Sequence, residues 1–142
     1  MPRRLSTSSI GVLLVLAALA GAGYHYRAEI VSYFADAAGQ ARLAGDLLIE
    51  DAGPAMAAIA RSAEAKGSLH GAGVGIAVKP SRRGARLYGS DGFFLVGSNG
   101  VIQAQSPQHG VGLTLTPELR DGRIAWRCTS SAPPEKLTSR CR

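Results

Sequence analysis

Aromatic residues, cysteine and acidic side chains are all scarce in this sequence. Aromatics are 6% of the 142 residues, with one Trp, three Phe and four Tyr. The core must therefore be modest and filled by small side chains, and no base-stacking platform for nucleic acid is indicated. The two cysteines, Cys128 and Cys141, lie near the end of the chain and are too far apart for the Cys-x-x-Cys spacing of a redox site. His25, His70 and His109 are scattered without metal-ligand spacing. Gly71-x-Gly73-x-Gly75 lacks the Gly-Lys-Ser/Thr ending of a phosphate-binding loop and reads as flexible backbone. No Ser-His-Asp constellation or carboxylate pair stands out. Neither catalysis nor a cofactor is expected.

Sixteen basic residues against ten acidic ones leave a net charge of +6. Such a balance permits weak attraction to DNA or acidic surfaces without demanding it. Lys79, Arg82, Arg83 and Arg86 form a local basic cluster that is a candidate anionic contact. Its competing reading is a solvated loop.

The N-terminus is organised differently. Arg3 and Arg4 precede twenty residues, 5–24, without a charged side chain. As a helix that run reaches ~30 Å, the thickness of a bilayer's hydrocarbon core. Its apolar side chains include Ile10, Val12, Leu13, Leu14, Val15, Leu16 and Leu19. The flanking arginines place that end in the cytoplasm, and Tyr24 and Tyr26 fall at the far interface. Ala18-Leu19-Ala20 also fits a signal-peptide cleavage pattern. On either reading the remainder is exported. The expected division is an apolar membrane segment over 1–26 and an exported globular domain over 27–142, seated in the inner membrane with the domain in the periplasm.

Beyond Arg27, Ile30, Val31, Phe34, Ala37, Ala38, Ala41, Ala44, Leu47 and Leu48 recur at spacings of three and four. They predict an amphipathic helix to about Glu50. Gly53-Pro54 reads as its stop, with a second short helix over 55–66. Residues 68–86 read as a long loop with one short strand over 74–78.

The last third alternates as strands do. Phe93-Phe94-Leu95-Val96 leads into a turn at Ser98-Asn99-Gly100, and 101–105 returns. Val111, Leu113 and Leu115 share one face of a strand that Pro117 is expected to end. Asp121-Gly122 is a second hairpin turn, followed by Ile124, Trp126 and Cys128 on one face. A four-stranded antiparallel sheet follows, and its apolar face needs a cover. The helix supplies it, giving an α+β fold. The expected helix–sheet core is Ile30, Phe34, Leu47, Ile102, Leu113, Leu115, Ile124 and Trp126. Cys128 and Cys141 admit one intramolecular pairing, closing twelve residues for ~3 kcal/mol. Two free buried thiols are the alternative, and export disfavours them.

Ser98-Asn99-Gly100-Val101-Ile102, Leu113-Thr114-Leu115-Thr116-Pro117, the run from Asp121-Gly122 through Trp126-Arg127-Cys128-Thr129-Ser130, and Cys141-Arg142 together resemble the end of type IV pilins of Gram-negative bacteria. The resemblance covers about two-fifths of the chain, roughly residues 86–142. It implies a long N-terminal helix half buried against a four-stranded sheet, a C-terminal disulfide loop, and assembly into filaments for adhesion, motility, DNA uptake or secretion. Other pilin subunits, the assembly machinery and the inner membrane are the implied partners. The apolar run departs from the family in carrying no carboxylate. An inner-membrane accessory or regulator of pilins, or a secreted periplasmic binding module, is the alternative.

Overall fold

The computed structural model describes the backbone of residues 7–138, 140 and 141, and the side chains from Asp36 onward except Glu135 and Ser139. The chain divides into two compact units, Met1–Asp36 and Ala37–Arg142. Among the described residues the architecture is α+β, with one long α-helix, one short α-helix and a four-stranded antiparallel sheet.

Helix α1 runs Thr7–Lys66. Among its described side chains, Ala41, Ala44, Leu47, Leu48, Asp51, Ala52, Ala55, Ile59 and Ala63 are buried. The three-and-four spacing puts them on one stripe. Five of the nine are alanines, so the helix axis can lie close to whatever covers it. The Gly53-Pro54 stop expected from sequence is absent: α1 continues through Pro54. Proline costs ~3 kcal/mol in a helix interior. Burial of Ala55, Ile59 and Ala63 beyond it offsets that cost, and Pro54 itself faces solvent.

Residues 68–75 turn back on themselves. The N–H groups of Ala72, Val74 and Ile76 donate to the carbonyls of Leu69, Gly71 and Gly73. The strand expected over 74–78 does not form, because Gly71 and Gly75 at φ 69° and 75° bend the backbone away from an extended path. Part of the expected loop is instead helix α2, Arg82–Tyr88. Ser81 caps it, its Oγ accepting from the Gly84 N–H at 3.0 Å, and Arg86 lies in its last turn, where a cation complements the helix dipole.

The sheet is a meander of β1 (Phe93–Val96), β2 (Ile102–Ser106), β3 (Val111–Arg120) and β4 (Arg123–Ser130), in spatial order β1-β2-β3-β4. The β1–β2 connection is closed by two backbone hydrogen bonds, Gly100 N–H to Gly97 O at 2.9 Å and Gly97 N–H to Val101 O at 2.8 Å. Gly100 closes that loop at φ 83°. The β3–β4 hairpin pairs Arg120 with Arg123 across a two-residue turn. Asp121 and Gly122 there take φ 50° and 77°, the double positive-φ conformation of a type I′ turn. Pro117 does not end β3. It pairs opposite Trp126, two residues past the last β2 partner of β3, Leu115. With β4 alone beside it, the strand tolerates a residue that has no N–H for the open side.

The inward face carries Ile102, Ala104, Val111, Leu113 and Leu115, all buried. They meet α1 in two apolar clusters. One gathers Ala41, Leu47, Leu48, Tyr88, Ala104, Val111 and Leu113, and the other Ala52, Ala55, Ile59, Ala63, Ala72, Ile102 and Leu115. Near the end of α1 the Glu64 carboxylate accepts the Ile124 N–H of edge strand β4 at 3.0 Å, occupying a donor that would otherwise be open to another strand.

Candidate functional site

The C-terminal segment returns from β4 to α1. Cys128 and Cys141 are disulfide-bonded with their Cα atoms 4.9 Å apart. Cys141 is buried within the first apolar cluster, against which Cys128 packs from β4. Between them, Thr138 is buried and its hydroxyl donates to the Asp46 carboxylate on α1. Gly45 lets the segment approach, since a Cβ there would lie 3.2 Å from Thr138 Cγ2. At the start of the loop, the Gly112 carbonyl accepts from Ser131 N–H at 3.0 Å and Ser130 Oγ at 3.1 Å. The disulfide thus closes a loop already fastened at both ends, to the sheet and to the helix.

The predicted core residues fall as follows. Leu47, Ile102, Leu113 and Leu115 are buried. Ile124 and Trp126 are half-buried and pack against the second cluster. Trp126 also lines a depression with Glu118, Arg120 and Arg127, where Glu118 pairs with both arginines. The side chains of Ile10, Val12, Leu13, Leu14, Val15, Leu16, Leu19, Ile30 and Phe34 lie outside the described residues. Among the described residues no helix is long and apolar enough to cross a membrane.

The basic cluster is split. Lys79 lies in the loop before α2, whereas Arg82, Arg83 and Arg86 are on α2, all exposed. The three arginines line a groove of about 420 Å³ whose other walls are Leu43 and Leu47 of α1 and Leu87 of α2. The spacing 82, 83, 86 is a helix-face signal, but the glycine at 84 and the lack of apolar periodicity hid it in the sequence.

A buried polar pair anchors α2. Tyr88 donates its hydroxyl proton to Asp51 Oδ2 at 2.8 Å, and both residues are buried. Burial first, and then the bond to the Asp51 carboxylate, push the Tyr88 phenol far above its ordinary range. The Tyr88 ring meets Phe94 edge-on, with centroids 5.9 Å apart. His109 adds a second tether, its Nε2 donating to the Leu87 carbonyl at 2.9 Å. Among the described residues no cluster of three or more His, Cys, Asp or Glu could hold a metal ion. Sequence reasoning missed the Tyr88–Asp51 pair, and no local signal connects residues 37 positions apart.

Compared with known proteins, the chain matches no family model, no curated protein and no solved structure.

Proposed function

We propose that this chain is a structural subunit of the type IV pilin kind, or a minor pilin. In this reading the apolar run 5–24 holds it in the inner membrane and later packs in a filament core, and the sheet with its closed loop forms the exposed surface. The observation that carries the reading is the Cys128–Cys141 bond, which ties the C-terminal segment to a sheet laid on a long helix. The sequence resemblance over residues 86–142 supports it from a separate direction. DNA and acidic surfaces are weaker partners in this reading. Filaments sheared from cells and analysed by mass spectrometry test it. Peptides of the chain in the filament fraction, with residues 10–19 retained, are expected. Their restriction to another fraction overturns the assembled-subunit reading.

One observation favours a second reading. The apolar run carries no carboxylate that could pair with a neighbouring subunit's amino terminus. An inner-membrane accessory that binds or regulates pilins has no need of that pairing. Recovery in the inner membrane together with co-purifying pilins supports it, and a mature N-terminus after Ala20 points to a released binding module.

A further inference from the structure

The groove between α1 and α2 has the two halves of an amphiphile site. Leu43, Leu47 and Leu87 supply apolar wall, and Arg82, Arg83 and Arg86 line the same depression and bring three positive charges to it. Among the described residues none of these three arginines makes an ion pair, although two other arginines of the unit, Arg120 and Arg127, both pair with Glu118. Arginine stems add methylene surface to such a wall while their planar heads stay wet. Those heads present paired N–H donors that match a carboxylate or phosphate.

We propose that this groove binds a single-chain alkyl anion, with the chain along Leu43, Leu47 and Leu87 and the head group on the arginines. Charge complementarity selects the anion, and size selects a small ligand. The volume of about 420 Å³ lies in the range of roughly 300–1,000 Å³ usual for small-molecule sites. A protein partner needs about 800 Å² of surface, yet among the described residues, of the large apolar side chains that are exposed, Leu43 alone lines the groove; Val74, Phe93 and Leu95 do not. The inference does not depend on whether the chain assembles into filaments.

Photolabelling tests it on the full chain in nanodiscs of phosphatidylcholine, with a diazirine-bearing dodecanoate as probe and mass spectrometry of the labelled peptides as readout. Label is expected on the peptides that hold Leu43, Leu47 and Leu87. Unlabelled dodecanoate displaces it, whereas inorganic phosphate and a diazirine-bearing dodecylamine do not compete or label. The variant carrying Arg82→Gln, Arg83→Gln and Arg86→Gln lowers groove labelling about tenfold, the loss expected when charge-assisted hydrogen bonds go. Leu43→Gln, at a position 39% exposed and so tolerant of change, lowers it independently. Circular dichroism confirms that both variants remain folded. Equal labelling of the triple variant overturns the proposal, as does equal labelling by the amine. Competition by phosphate as strong as by dodecanoate reduces the site to a simple anion contact and also overturns it. Displacement by an acidic leucine-containing peptide in preference to dodecanoate identifies a protein partner instead. Loss of label with rising protein concentration identifies a second copy of the chain.

Discussion

Tyr88 and Asp51 share a buried 2.8 Å hydrogen bond that fixes the end of α2 to the C-terminal third of α1. Removing either partner leaves the other unsatisfied in a place water does not reach. Tyr88→Phe strips the carboxylate of this donor, and Asp51→Ala leaves the phenol without its acceptor. Each is expected to cost about 1–3 kcal/mol. The double variant should cost less than the sum, because neither orphan then remains. Urea denaturation of the four proteins checks this. Additive losses would mean that the bond contributes nothing of its own.

The same pair sets an alkaline limit. The folded state holds the Tyr88 proton more tightly than the unfolded chain, whose phenol keeps its ordinary pKa of 10.0. The associated stability is therefore fully present below about pH 10 and is lost as the pH rises above it. Denaturation midpoints compared between neutral pH and about pH 11 should fall more steeply in the native protein than in Tyr88→Phe. Parallel curves would remove the pair from the alkaline response.

The Cys128–Cys141 bond spans a sequence separation of 13. Cys128→Ser is expected to lose ~3 kcal/mol, chiefly by freeing the unfolded chain. Thr138 and Asp46 retain their contact at first, so cleavage by a protease should begin within residues 129–140. Unchanged protease resistance and abundance would deny the disulfide a structural role.

Much of the β region was legible because its signals are local. Asp121-Gly122 asks for positive φ at both turn positions, and Val111, Leu113 and Leu115 alternate with Gly112, Thr114 and Thr116, as they do in the strand. The two prolines misled because local cost is not the whole cost. Pro54 sits on the exposed side of a helix whose other side is buried, and Pro117 sits where β3 has one neighbour. Helix α2 had a readable start in Ser81, yet Gly84 and three arginines in seven residues concealed the rest. The groove was half legible. The arginines are close in sequence, but their apposition to Leu43 and Leu47 is made by the fold.

Gly84 is a glycine for space. A Cβ there would lie 2.1 Å from Asp51 Oδ2 and 2.7 Å from the Tyr88 hydroxyl. Gly84→Ala improves helix propensity by up to about 1 kcal/mol but must push α2 off α1, a displacement that typically costs 1–3 kcal/mol. A net loss of stability is expected. Gly39→Ala, also helical but with nothing within 4 Å of its Cβ, is the control and should gain about 0.5–1 kcal/mol. Thermal melts of the two variants should move in opposite directions. A gain in both would mean that α2 is not held against the Asp51–Tyr88 pair.

Pro54 tests whether α1 is one element energetically as well as geometrically. The helix continues through this exposed proline, without an N–H to donate to the preceding turn and with Gly53 beside it. Packing of Ala52, Ala55, Ile59 and Ala63 on the sheet side keeps the axis continuous at the expense of that bond. Pro54→Ala restores the donor, adds no bulk to the buried stripe and raises helix propensity, so it should stabilise the fold by about 1 kcal/mol or more. Amide hydrogen exchange over 50–60 should slow in the same variant, because the restored hydrogen bond joins the turns on either side. If stability falls instead, the proline's own geometry is what aligns Ile59 with Ile102 and Leu115, and α1 acts as two segments joined at residue 54.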